Sequence, residues 1–200
     1  MATKKSREAP ASVRIDTAHH HYRVIAGQRE GVCQAIAYLA NRKIDSINGE
    51  TVEAAVDALK GALDERTVRL RRDRVDGVPS AQEFCEALMA LDEAGLKPAI
   101  ALLAVHSRRP DAAATMEDLA RLADRDESAT AAVYTRFGRK LGAFLDFVPE
   151  VNGYDRTLAP MLTFAVLETR PKKASPVLRL RPEMLEAFHT LDRRDEPSRV

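Results

Sequence analysis

The sequence predicts an α+β chain in which a small ββα or βββα unit precedes a mainly helical domain that ends in a strand pair and a last helix. Three observations carry this reading. Two short apolar runs, 22–26 and 32–38, flank a segment holding Gly27 and Gly31, which is a hairpin pattern. From Thr51 the apolar period becomes helical, with Val52, Val56, Leu59, Leu63 and Leu70 on one side. Beyond Pro79 helical patterns recur until a basic segment containing Pro171 and Pro176 separates two runs of strand formers.

Length and composition set the frame. Two hundred residues suit one or two domains with a real core. The longest apolar run, 99–105, is far short of the ~20 residues a membrane-spanning helix needs, and the first ten residues lack the apolar core of a signal peptide. A cytoplasmic protein with no membrane partner is expected. Cys33 and Cys85 belong to no Cys-x-x-Cys pair, so reduced, buried thiols are expected. The 31 basic and 30 acidic residues leave a formal net charge of +1, so any nucleic-acid surface must come from the placement of charge and not its sum.

Residues 1–17 are polar and without period, as in a disordered tail that carries Lys4, Lys5 and Arg7 as a loose basic arm. A sheet-plus-helix unit follows over 18–76. It opens on His19, His20 and His21, which read as a solvated run and not a metal site, because adjacent side chains on an extended chain point to opposite sides and no acid or thiol follows at a ligand spacing. Strands over 22–26 and 32–38 and a third over 42–49 would cover the apolar side of the helix from Thr51. That helix ends in the densest basic run of the chain, five arginines within 66–74, which the helix dipole favours at a C-terminus and which could also meet phosphate.

Asp76-Gly77-Val78-Pro79 reads as a boundary, and the second domain spans 80–191. Ser80 with Glu83 makes a capping box, and Phe84, Ala87, Leu88 and Leu91 follow on one helix face up to Gly95. Pro98 opens another helix, which Pro110 stops. Thr115 with Asp118 starts a short third helix. The segment 125–128 breaks the pattern, and Ser128 is placed to cap a fourth helix with Val133, Phe137, Leu141 and Leu145 buried and Arg136, Arg139 and Lys140 on an open face. Strands are expected over 161–167 and 177–180, joined by a basic loop holding Arg170, Lys172 and Lys173. A last helix begins near Pro182, and 192–200 is tail.

Two helices joined by a tight turn, then a hairpin with a basic loop, is the plan of a winged helix-turn-helix. Between Ser128 and Leu145 there are three basic residues and no acid, and between Arg170 and Arg181 five and no acid. The pattern Tyr134-x-x-Phe137-Gly138-Arg139-x-Leu141-Gly142, then a strand pair and Leu180-Arg181-Pro182-Glu183, resembles a winged-helix-like module that occurs beside HNH-type nuclease domains in restriction proteins and alone in uncharacterised bacterial proteins. The resemblance covers roughly 84–191. Family members often carry an Asn shortly before the Tyr, whereas 129–133 here holds no amide side chain, which removes one base-reading contact the resemblance would imply. The spacing of Gly138 and Gly142 leaves a smooth strip for close packing.

No Walker loop, dinucleotide fingerprint, His-Glu-x-x-His or Gly-x-Ser-x-Gly motif is present, and His106 and His189 stand apart. The expected protein is non-enzymatic and needs no cofactor. It binds nucleic acid, with double-stranded DNA the leading partner, through Arg136, Arg139, Lys140, Arg170, Lys172 and Lys173. The alternative is an adaptor of a mobile-element or defence locus whose winged helix binds another protein.

Overall fold

The computed structural model of the chain describes residues 14–92, 97–150, 156–168 and 175–195. Two compact units divide it, Met1–Val68 and Arg69–Val200, so the division falls inside a helix and ahead of the Asp76–Pro79 turn.

The first unit is an antiparallel meander of four strands, β1 (Arg14–His19), β2 (Tyr22–Arg29), β3 (Val32–Leu39) and β4 (Arg42–Gly49), in the order β1-β2-β3-β4. Strand alternation sends Tyr22, Val24 and Ala26 of β2 and Cys33, Ala35, Ala37 and Leu39 of β3 to one buried face. Helix α1 (Val52–Arg72) supplies Val52, Ala55, Val56, Leu59 and Leu63 to the same core. Thr51 caps it, its Oγ1 accepting from the Ala54 amide at 3.0 Å. The Glu30-Gly31 turn between β2 and β3 has both residues at positive φ, the conformation whose twist suits a two-residue hairpin. Strand β1 corrects the expected tail, because residues 14–17 pair with β2 throughout. An edge strand needs only one set of backbone partners and one half-buried face, so a single large apolar residue, Ile15, suffices, and Arg23 of β2 forms an ion pair with Asp16 beside it.

In the second unit, α2 (Ala81–Asp92), α3 (Lys97–Ser107), α4 (Met116–Leu122), α5 (Glu127–Leu145) and α6 (Pro182–Asp195) surround a three-stranded sheet of β5 (Ala113–Thr115), β6 (Ala165–Glu168) and β7 (Val177–Leu180). The sheet order is β5-β7-β6, all antiparallel, so the strand between α3 and α4 pairs with the last strand of the chain. The expected capping box of α2 is present: the Glu83 amide donates to Ser80 Oγ at 3.3 Å, and the Ser80 amide donates to Glu83 Oε2 at 2.9 Å. Two strands differ from expectation: β5 was not expected, and β6 starts late. Strand β5 is too short to show a period. Residues Ala159–Thr163 form a 3-10 turn where a strand was expected from 161, and β6 begins only at Ala165. Met161, Leu162, Thr163, Phe164 and Ala165 are buried in succession, which a compact turn permits and the alternation of a strand does not. The last helix likewise runs through 192–195, which were expected to be tail.

The core of this unit centres on α5. Tyr134 and Phe137 meet Phe164 edge-on, with ring centroids 5.1 and 5.0 Å apart. The 3-10 turn lies so close to α5 that a Cβ on Gly138 would stand 2.0 Å from the Pro160 carbonyl oxygen. His106 of α3 is fully buried, with Nε2 3.0 Å from the Leu178 carbonyl and Nδ1 3.2 Å from the Tyr134 hydroxyl. A carbonyl only accepts, so Nε2 carries the proton and donates to Leu178, while Nδ1 accepts from Tyr134. Burial holds the imidazole neutral, its pKa lowered to about 4, and pushes the Tyr134 hydroxyl up.

Two outcomes follow from this core. Gly138→Ala should destabilise the protein by about 1–3 kcal/mol in urea melts, because the added methyl collides with backbone that cannot yield locally. The His106 pKa is depressed on folding, so its contribution to stability is present above the unfolded value near 6.5 and is lost as pH falls toward 4. That loss is on the order of 3 kcal/mol. Melts of His106→Gln across this window should show a shallower pH slope than the parent.

Candidate nucleic-acid interface

Helices α4 and α5 are set by their caps. Thr115 caps α4, its Oγ1 accepting from the Asp118 amide at 3.1 Å and donating to the Asp118 carboxylate at 3.0 Å. Helix α4 closes at Asp124, in the left-handed region at φ 50°, and the Arg125 amide returns to the Ala120 carbonyl at 2.9 Å. Asp126, and not Ser128, then caps α5: its carboxylate accepts from the Ala129 amide at 3.1 Å and from Ser128 Oγ at 2.6 Å. Ser128 lies already within the helix, and the Asp126 carboxylate carries the charge that the helix N-terminus favours. Those hydrogen bonds, from Ser128 above all, hold the Asp126 carboxyl below its ordinary pKa.

The buried stripe of α5 is Thr130, Tyr134, Phe137, Gly138, Leu141 and Leu145. Val133, expected in that stripe, is only partly buried, and Tyr134 takes the central place because its hydroxyl has a buried partner in His106. The opposite stripe exposes Ser128, Ala129, Ala132, Arg136, Arg139 and Ala143. Arg136 and Arg139 therefore share an open face, whereas Lys140 is half-buried at its edge. Among the described residues none of these three cations forms an ion pair. Arg139 also borders a shallow depression of about 330 Å³ lined by Gly142, Ala143, Phe147 and Pro160.

Arg170, Lys172 and Lys173 lie outside the described residues. Strands β6 and β7 bracket that segment, and their pairing is as expected: Glu168 stands opposite Val177, and Arg179 Nε donates to Glu168 Oε1 at 2.7 Å. Arg179 also donates to the Asp111 carbonyl, so this cation is held by structure.

Three arginines of the run 66–74 are held in the same way. Arg66 donates to the Tyr22 hydroxyl at 3.1 Å in the first unit. In the second, Arg71 pairs with Asp146 at 3.2 Å, and Arg74 with Glu83 at 2.8 Å where both side chains are about nine-tenths buried. Arg74 also donates to the Leu145 carbonyl at 2.6 Å, one of the acceptors left open at the C-terminus of α5. Within the pattern that carried the family resemblance, Tyr134, Phe137, Gly138 and Leu141 are core, and Arg139 is exposed.

One grouping was not legible in the sequence. His19 and His20 converge, each placing Nε2 on Asp64 Oδ1, at 2.8 and 2.7 Å. The expectation of divergent side chains fails because His20 leaves the strand at φ 52°, and the carboxylate arrives from α1, 44 residues further on. Compared with family models, curated proteins and solved structures, the chain matches none.

The arginine assignments are separable by stability. Arg74→Ala should cost about 3–5 kcal/mol, because it leaves Glu83 buried without its partner. Arg69→Ala, at an exposed position, should stay within about 0.5 kcal/mol. Thermal melts of the two variants side by side give the comparison.

Proposed function

We propose that the second unit is a winged helix-turn-helix that binds double-stranded DNA, with α5 laid against the duplex and the segment between β6 and β7 as the wing. The observation that carries the reading is the element order α3-β5-α4-α5-β6-β7 together with the sheet order β5-β7-β6. That is the order in which a winged helix places its first strand beside its last and leaves the wing between the other two.

Charge and side-chain size agree with it. Ser128, Ala129 and Ala132 keep the first half of the open stripe narrow enough for close approach to a groove, and alanine methyls can touch thymine methyls. Asp124, Asp126 and Glu127 border the start of α5 and would repel phosphate there. Backbone contact is thus assigned to Arg136 and Arg139, further along, with Lys140 at the margin and Arg170, Lys172 and Lys173 on the wing. With few cations on this face, affinity rests on a small number of phosphate contacts, and the salt slope is correspondingly shallow. The resemblance to the module found beside HNH-type nucleases supports the same reading, with no nuclease site required of this chain.

The test is a titration of labelled duplex and single strand at two salt concentrations. The parent should bind duplex at low salt, and Arg136→Gln with Arg139→Gln should weaken binding on every sequence while lowering the salt slope by about 0.9 per lost phosphate contact. Melting temperature should be unchanged in the double variant. Absence of parent binding at low salt would overturn the DNA reading in favour of the protein adaptor.

A further inference from the structure

The geometry points to a second, unrelated site: we propose that His19, His20 and Asp64 bind one divalent transition-metal ion of the zinc class, leaving at least one coordination position open. The three donor atoms lie within 4.8 Å of one another, and both imidazole Nε2 atoms already converge on the same carboxylate oxygen. Two imidazoles and a carboxylate are the donor set of borderline metals and the one used where a tetrahedral ion keeps a place for water or a further ligand.

Backbone and packing fix the three groups independently of any ion. His19 is the last residue of β1 and lies opposite Tyr22, so it shares the face of the sheet that meets α1. His20 occupies the tight turn at positive φ, which swings its ring back toward its neighbour; the ring centroids are 4.3 Å apart at 56°. Asp64 follows the fully buried Leu63 on α1, which anchors the helix against the sheet. Arg66, two residues on, is engaged with the Tyr22 hydroxyl.

Nitrogen-to-oxygen distances of 2.8 and 2.7 Å are those of hydrogen bonds. Tetrahedral zinc, with bonds of about 2.0–2.2 Å, sets neighbouring donors about 3.3 Å apart. Each nitrogen needs to draw back from the carboxylate oxygen by only about half an ångström, which exposed side chains on a turn can supply. On metal binding the Nε2 protons that now meet the carboxylate are given up: each ring carries its proton on Nδ1 and offers the Nε2 lone pair, and Asp64 supplies a carboxylate oxygen. His20 and Asp64 are each about half exposed, so a metal has access from solvent.

The experiment titrates zinc chloride, and separately cobalt chloride for its visible absorption, into the full chain under reducing conditions. Expected is one ion per chain, a rise in melting temperature with zinc, and a cobalt spectrum carrying nitrogen-ligand bands. Loss of one ligand cannot cost less than the roughly 10–100-fold typical of residues that merely orient a ligand, so His20→Ala and Asp64→Ala should each weaken binding at least about tenfold. His21→Ala, next to the site but outside it, should leave affinity unchanged. Circular dichroism of each variant verifies its fold, and ring resonances of His19 and His20 in the parent must broaden or shift on zinc addition. No parent binding at millimolar zinc, or equal affinity in Asp64→Ala, would overturn the proposal by reducing the cluster to a hydrogen-bonded turn.

Discussion

The second unit depends on how closely the 3-10 turn at Ala159–Thr163 approaches α5. A side chain at 138 would forbid that approach, and without it Phe164 could not reach between Tyr134 and Phe137. A helix is a stiff cylinder, so the choice of its buried stripe also chooses its open one. By burying Tyr134, Phe137 and Leu141, the core turns Ala132, Arg136 and Arg139 outward. Packing on one side of α5 thereby determines which chemistry is available on the other.

Three polar side chains inside this unit each close a specific vacancy. Arg74 joins the N-terminal cap of α2, through Glu83, to an open carbonyl at the end of α5. Arg181 donates through Nε and Nη2 to the Leu162 carbonyl, at 3.1 and 3.0 Å, and stacks over Phe147, burial lowering its pKa. His106 bridges α5 to β7. Burying such groups is tolerable only when their hydrogen bonds are made, and once made they specify one arrangement.

In the first unit a turn decides the chemistry. Three consecutive histidines in an extended strand would alternate between faces, but the reversal after His19 brings two of them to one carboxylate. The edge strand that ends there has little apolar content and is held by backbone pairing along its whole length. Side chains near its end are accordingly free to serve a site and not the core.

What the sequence determined by itself is what local spacing encodes. The capping boxes at Ser80 and Thr115, the apolar stripe of α1, strands β2 to β4 and the close-packing strip at Gly138 and Gly142 all rest on contacts within a few residues, or on a period of two or of 3.6. Membership of the open face by Arg136 and Arg139 was legible for the same reason. Tertiary structure alone decided the rest. Strands β1 and β5 exist because distant partners accept their backbone hydrogen bonds, which no side-chain pattern announces. Tyr134 displaced Val133 from the core because His106, 28 positions away, satisfies its hydroxyl. Arg66, Arg74 and Arg71 found their partners at Tyr22, Glu83 and Asp146, and the histidine turn found Asp64, only when folding brought those elements together. A charge or an imidazole has no period, so its partner is fixed by which elements meet in space.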